Sequence, residues 1–526
     1  MGRRPRGTAR SSVRVFAIED ADEDLAEQGP SGPRSRGAVP DGGASVQGPA
    51  DGPVPQVLSG AEPQVDERLA RRPWSRRSRL FVGAGVSVVA LLVVGGVVRG
   101  EMNESARVDR VIAAGGIRPL GPEVGVLWRI EPTGSGDEDS PTGWWLSPAV
   151  VDGTLVVQGS PVVGYDPTTG RELWRGAPRP ASDTAKVTTA CTGTGTWEVQ
   201  EDPLVCTTFE LRSVPTVGAT FEQSFPVRVD VMVAATGEVT GTRTFGEETQ
   251  GAAFFDDGIA SVRWGDDGHV VVDLEDRATG ELRWSREIAQ ERGSSPEGEY
   301  LGLQDGGSVL MVAVAGRLVT LDADGRTVDE AEESWTIPLR DGLALVQHPD
   351  GGSTVLDRHG AELFRTRGTV QEFTATDGGP TAAFFVTEGG GVMDESGNIE
   401  RPRTTALDPA TGRTRWSIDG VAAPVAQVGD VGILSRAGRL WAVDLGSGER
   451  LWESSEVLTY TSAHTDGTDL YLMGPSATGG TRVTAVSVDS GQELWSSDLE
   501  DSAAWGVGVR GTLVVATDDG TLLGIG

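Results

Sequence analysis

Two cysteines and four histidines are the whole stock of thiol and imidazole chemistry in this chain of 526 residues. Neither Cys191 nor Cys206 belongs to a C-x-x-C pair, and the histidines at 269, 348, 359 and 464 are scattered, so no zinc ligand set forms along the sequence. The cysteines have two readings. One is a disulfide across a hairpin, which on the oxidising side of a membrane would stabilise the fold by about 3 kcal/mol. The other is a pair of buried free thiols. His359 in "DRHG" and His464 in "AHTDG" read as exposed turn residues rather than as bases or ligands. "DADG" at 322–325 looks like a fragment of a calcium loop. It lacks the ladder of further acids and the distal Glu, so a β-turn is the better reading. No nucleophile elbow, P-loop or dinucleotide fingerprint is present. No catalytic residue and no metal ligand is assigned.

Charge narrows the partners. The chain carries 45 basic and 77 acidic residues, a net −32. The first 79 residues hold a slight basic excess, so the acidic excess lies beyond them. A field of that sign repels nucleic acid and anionic surfaces and suits cationic partners, divalent ions or plain solubility. Lys186 is the only lysine, and the asparagines are Asn103 and Asn398. Such bias points to a GC-rich coding genome and a bacterial, actinobacterial source.

The elements that must carry any site come next. Residues 1–79 are rich in Gly, Pro, Ser, Arg and acids and cannot bury enough apolar surface to offset ordering entropy, so a disordered tail is expected. Within it, 13–28 sets Val15, Phe16, Ile18 and Leu25 beside an acidic run, either a segment that folds onto a partner or a solvated tail. Residues 80–98, "LFVGAGVSVVALLVVGGVV", carry no charge. As a helix they would span about 28 Å, close to the hydrocarbon core of a bilayer. Arg71, Arg72, Arg76, Arg77 and Arg79 precede them, which keeps the N-terminus in the cytoplasm. The long preceding segment and the missing cleavage site argue for an uncleaved signal anchor. Residues 99–122 are expected as a linker, and 123–526 as an extracytoplasmic domain of a single-pass protein of the cell membrane.

That domain repeats itself. "DPTTGRELW" (166–174) returns as "DRATGELRW" (276–284), "DPATGRTRW" (408–416), "DLGSGERLW" (444–452) and, worn, "SVDSGQELW" (487–495). Short alternating runs precede each copy, as in "GDVGILSRAGRLWAVD" (429–444). The Asp can accept from backbone amides ahead of it, and the Gly can take positive φ. These turn glycines are Gly170, Gly237, Gly280, Gly412, Gly448 and Gly491. A strand then carries a Trp placed to cover the joint to the next unit: Trp128, Trp174, Trp284, Trp416, Trp452 and Trp495. Their fixed place in the repeat favours packing over sugar stacking. Units of about 40 residues with four strands each pack radially as a β-propeller. The closing stretch "GTLLGIG" lacks a fourth strand, and "EVGVLWRIEP" (123–132) supplies one. Nine units can be counted. Because nine exceeds the usual range, one weak unit in 300–366 is expected not to be a separate blade. The expectation is eight four-stranded blades, with seven or nine open.

The phrases "LWAVDLGSGERLW" and "GYDPTTGRELW" resemble the repeat of pyrroloquinoline quinone (PQQ)-like propellers over about 123–526. The resemblance implies an all-β propeller. Its family holds quinoprotein dehydrogenases, with PQQ and Ca²⁺ in a central funnel, and non-enzymatic propellers of outer-membrane assembly. This chain lacks the adjacent Cys-Cys pair of the former, and its sole propeller asparagine, Asn398, reads as a loop residue. No cofactor is expected. The first reading is a non-catalytic scaffold for a protein or cell-envelope ligand. The alternatives are a PQQ-dependent oxidoreductase and an envelope sensor signalling through its cytoplasmic tail. Contacts are expected on the insertions 193–203, with Trp197, 213–226 and 387–403.

Overall fold

The computed structural model describes residues 105–131, 148–159, 161–176, 187–191, 203–216, 219–289, 301–306, 308–314, 317–332, 335–388 and 402–526. The tail, the expected span at 80–98, Trp197 and Asn398 lie outside them. Among the described residues no helix is long and apolar enough to cross a membrane.

Alternating apolar and polar runs broken by Gly and Asp turns give strands, and the strands group into nine sheets, each built on four antiparallel strands and one of them joined by a fifth, parallel strand. In chain order these blades cover 149–176, 187–244, 249–288, 301–332, 335–367, 370–419, 423–453, 462–499 and 503–525. We number them 1 to 9. Blade 9 is completed from the other end of the described chain. Val126–Ile130 pairs with Leu522–Ile525, with Trp128 opposite Gly524. The ring is thereby closed by a strand from each end.

The expectation of eight blades is corrected to nine. Residues 300–366 hold two complete blades, one from Leu301–Asp305 to Thr327–Glu332 and one from Trp335–Leu339 to Glu362–Arg367. Tight connections make both short, and neither carries the Trp that marks six of the other seven units.

Burial follows the radial plan. Middle strands are covered on both faces by neighbouring blades, so Thr512–Thr517 is buried at every position. Outermost strands meet solvent and alternate, as Glu493–Leu499 does. The core is therefore a series of inter-blade seams. One such cluster joins Val262, Val272 and Leu274 of blade 3 to Leu310, Val312 and Leu321 of blade 4.

In every blade the innermost strand runs toward one rim, where it turns into the second strand, and the third-to-fourth turn lies at that same rim. We call this rim the turn face. The second-to-third turns and the connections between blades lie at the opposite rim.

Candidate interaction surface and the central channel

The repeated motif builds the seams. In blade 1 the Asp166 carboxylate accepts from Thr168 N at 2.8 Å and Thr169 N at 3.2 Å. Gly170 takes φ +66°. A bulge after this turn sets Trp174 opposite Gly164, where only a residue without a side chain leaves room for the indole. The indole lies against Gly237 of blade 2, and its N–H donates to Ala234 O at 2.6 Å. The same reach recurs from Trp284 to Ala323 O at 2.9 Å, Trp416 to Leu445 O at 3.0 Å and Trp452 to Val488 O at 2.7 Å. All six turn glycines have φ between +63° and +74°. Hydrogen bonds from the turn also hold some of these carboxyls below their ordinary range, as backbone and side-chain donation from Thr279 does for Asp276.

Sequence reasoning missed two seam residues. Phe364 of blade 5 lies against Gly412 as a Trp would. Blade 2 has Gly241 at the register position of the Trp, and Arg243 covers the seam instead. Its guanidinium donates to Gly280 O at 2.7 Å and to Glu275 Oε2 at 2.6 Å. The signal available was the turn glycine of the following blade, which persists where the Trp does not.

The channel side is stitched by blade 6. After the short strand Val370–Gln371 the chain leaves its own blade, and Ala375–Thr376 pairs in parallel with Ala426 and Gln427 of blade 7. Thr374 Oγ1 donates to Val425 O at 2.7 Å. The Asp377 carboxylate accepts from Gly379 N and Gly429 N, each at 3.0 Å.

A second segment crosses the turn face. Residues 105–113 are helical, and 114–120 continue into the closing strand. Although 99–122 reads as a linker, its described part is bonded to the propeller. Arg107 Nη1 donates to Asp466 O at 2.7 Å, Ile117 N to Thr465 O at 3.0 Å and Arg118 N to Gly511 O at 2.8 Å. Val111 and Ile117 are buried. Asp466 itself accepts from Thr468 N and Asp469 N at 2.8 Å and from the Tyr471 hydroxyl at 2.9 Å. Burial above all raises the Tyr471 hydroxyl's pKa. Burial likewise raises the Asp469 carboxyl's, with Asp466 adding repulsion.

Asp377 and Asp466 are the buried carboxylates of these inner turns, and protein donors engage both, two on Asp377 and three on Asp466. Among the described residues no group of three or more His, Cys, Asp or Glu converges on a metal position.

Two further expectations change. His464 is not in an exposed turn. It sits in the innermost strand Ser462–Thr465 of blade 8 and is buried, with Nε2 unpartnered and directed at Gly506. Burial lowers its pKa to about 4. The alternation in "SAHTDG" is too short to separate a strand end from the turn that follows. The insertion 213–226 is not a loop either. It belongs to a hairpin of Leu204–Thr216 and Ala219–Met232 in blade 2, paired down to Thr216 opposite Ala219. At its base Cys191 and Cys206 face each other in register and are bonded, with both side chains buried.

The hairpin outgrows its blade. The innermost strand Val187–Cys191 reaches only as far as Glu210, and the outermost strand ends opposite Arg228. About six residue pairs continue beyond, a projection of roughly 20 Å. Along it, neither outer edge has a neighbouring strand among the described residues. Arg212 stacks over the Phe225 ring at 5.3 Å and pairs with Glu210 at 3.2 Å, which stiffens the root.

A nine-bladed ring closed by both ends, with Asp-turn-Gly-Trp seams, defines a PQQ-repeat β-propeller. Residues 192–472, just over half of the chain, match the model of the family described as outer membrane protein assembly factor BamB, and the chain belongs to that family. Solved structures of similar fold include BamB from Moraxella catarrhalis, 18% identical over 60% of this chain and 93% of that one, with a TM-score of 0.32. The quinohemoprotein alcohol dehydrogenase from Comamonas testosteroni is 13% identical over 79% of this chain and 78% of that one, also with a TM-score of 0.32. The computationally designed Ika8 protein is 15% identical over 60% and 94%, with the same score. Similarities this low carry no functional information. No curated protein matches the chain.

Proposed function

We propose that this protein is a membrane-anchored, extracytoplasmic propeller that binds another protein and catalyses no reaction. The observation that carries the reading is the blade 2 hairpin: a two-stranded arm whose outer edges no described strand pairs, rooted by a disulfide in a closed ring. Free edges of this kind accept an added strand, whose main-chain hydrogen bonds give affinity while side-chain pockets give specificity. The partner this suits is a protein with an extended segment. The family's description as an assembly factor agrees with such a role. The chain crossing at blades 6 and 7, and the protein donors already engaging Asp377 and Asp466, support binding over quinone chemistry. The anchor rests on the apolar run 80–98 and its basic upstream flank.

A titration of the full chain with PQQ, with and without Ca²⁺, tests the non-catalytic half of this reading. The chain's 14 Trp supply the fluorescence signal. Quenching no greater than the absorption of free PQQ is expected. Saturable quenching that requires Ca²⁺ would favour the oxidoreductase.

A further inference from the structure

The segment 105–120 fixes which way the propeller points. It lies on the turn face alone. It touches the inner turn of blade 8 through Asp466 and Gly467, that of blade 9 through Gly511, and Gly378 of blade 6 through Arg110. Glycine at 467 and 511 lets the helix side chains seat directly on backbone. The segment then enters Val126–Ile130 without leaving that rim, because Gly125 and Gly526 exchange backbone hydrogen bonds at 3.0 and 3.1 Å. It is a built part of the ring and not a free tether.

Six residues, 99–104, separate this strap from the apolar run ending at Val98. Fully extended, that connection reaches at most about 25 Å. The opposite rim lies farther away by the length of a strand, roughly 23 Å for the seven residues Asp469–Pro475. The hairpin arm adds roughly 20 Å in the same direction.

We propose that the strap seats the propeller with its turn face toward the bilayer and presents the opposite rim, with the blade 2 arm outermost, to partners. This rests on the anchored reading given above.

The test uses the full chain in vesicles of phosphatidylcholine and phosphatidylglycerol that carry a rhodamine-lipid acceptor. A donor dye is placed on Ser490→Cys or on Ala477→Cys. These exposed positions lie at the two ends of blade 8, Ser490 in the turn face and Ala477 at the far rim. The native cysteines are bonded and buried, so they do not compete for dye. Greater loss of donor emission from 490 than from 477 is expected. Equal or reversed losses in protein that floats with the vesicles would overturn the orientation and leave the anchor standing. Failure to float would overturn the anchor and the orientation with it.

Discussion

The indole N–H of Trp128 donates to the carbonyl of Pro167 at 3.0 Å, joining the last blade of the ring to the first. Trp128 comes from one end of the described chain, is opposed by Gly524 from the other, and lies against Gly170 of blade 1. One side chain thus ties both ends of the propeller to its first repeat.

Trp128→Ala removes a buried aromatic and orphans no charge, so its cost is that of a large core truncation, about 3–5 kcal/mol. Chemical denaturation of the variant should show the midpoint lowered accordingly. Trp128→Phe keeps the ring area and loses the hydrogen bond, and should cost clearly less. Equal effects would mean that packing at this seam contributes little.

Gly448 and Gly429 share positive φ, +74° and +56°, but not their surroundings. A Cβ on Gly448 would lie 2.6 Å from the Trp416 ring, whereas one on Gly429 would meet nothing within 4 Å. Gly448→Val is therefore expected to destabilise by at least about 1–3 kcal/mol from overpacking, with backbone strain in addition. Gly429→Asn, which tolerates positive φ, should stay within about 0.5 kcal/mol of the parent. Thermal melts of the two variants side by side decide the matter.

His464 gives the fold an acid sensitivity of its own. Its folded pKa of about 4 lies below the ordinary 6.5, so the unfolded chain binds the proton more readily. The stability this group contributes is full above pH 6.5 and is lost progressively as the pH falls toward 4. The total amounts to roughly 3 kcal/mol. The turn carboxyls Asp276, Asp408 and Asp444 are shifted downward from 3.8, so their loss comes at lower pH. Unfolding free energies of parent and His464→Leu at pH 7.5 and 5.0 should differ in slope, with the variant flatter. Parallel slopes would refute the assignment.

The Cys191–Cys206 bond closes a loop with a sequence separation of 15. Replacing both residues by Ala should lower stability by about 3 kcal/mol, the chain-entropy value for a loop of that size. Reductant should lower the melting temperature of the parent and leave the double variant unchanged.

Much of this architecture was legible in the sequence because turn chemistry is local. Asp166, Gly170 and Trp174 stand in one nine-residue phrase, and their spacing alone announces turn, strand and seam. The ring closure could also be anticipated, because Trp128 precedes a blade and the C-terminal blade lacks a strand. Nine units could be counted, but the expectation fell to eight because nine exceeds the usual range and the phrase is weakest at 300–366, where both units lack the Trp. Phe364 and Arg243 hold their seams through contacts with the turn glycine of the following blade, Gly412 and Gly280, which no short window reveals. The strap and the crossing at Ala375–Thr376 were illegible for the same reason: both are defined by partners in other blades. Only 213–226 of the arm reads as an insertion in the sequence. Its nature as a hairpin depends on register between strands, which propensity does not fix.

Photo-cross-linking in the source cells tests the central claim most directly. A photoreactive residue is placed at Ser224, exposed on the hairpin arm, or at Thr168 in a turn of the opposite rim. The account predicts a discrete protein adduct from 224, none from 168, and loss of the adduct when 212–223 is replaced by an Asn-Gly turn in a variant that melts normally. An adduct that forms equally from both positions, or that survives removal of the arm, would contradict it.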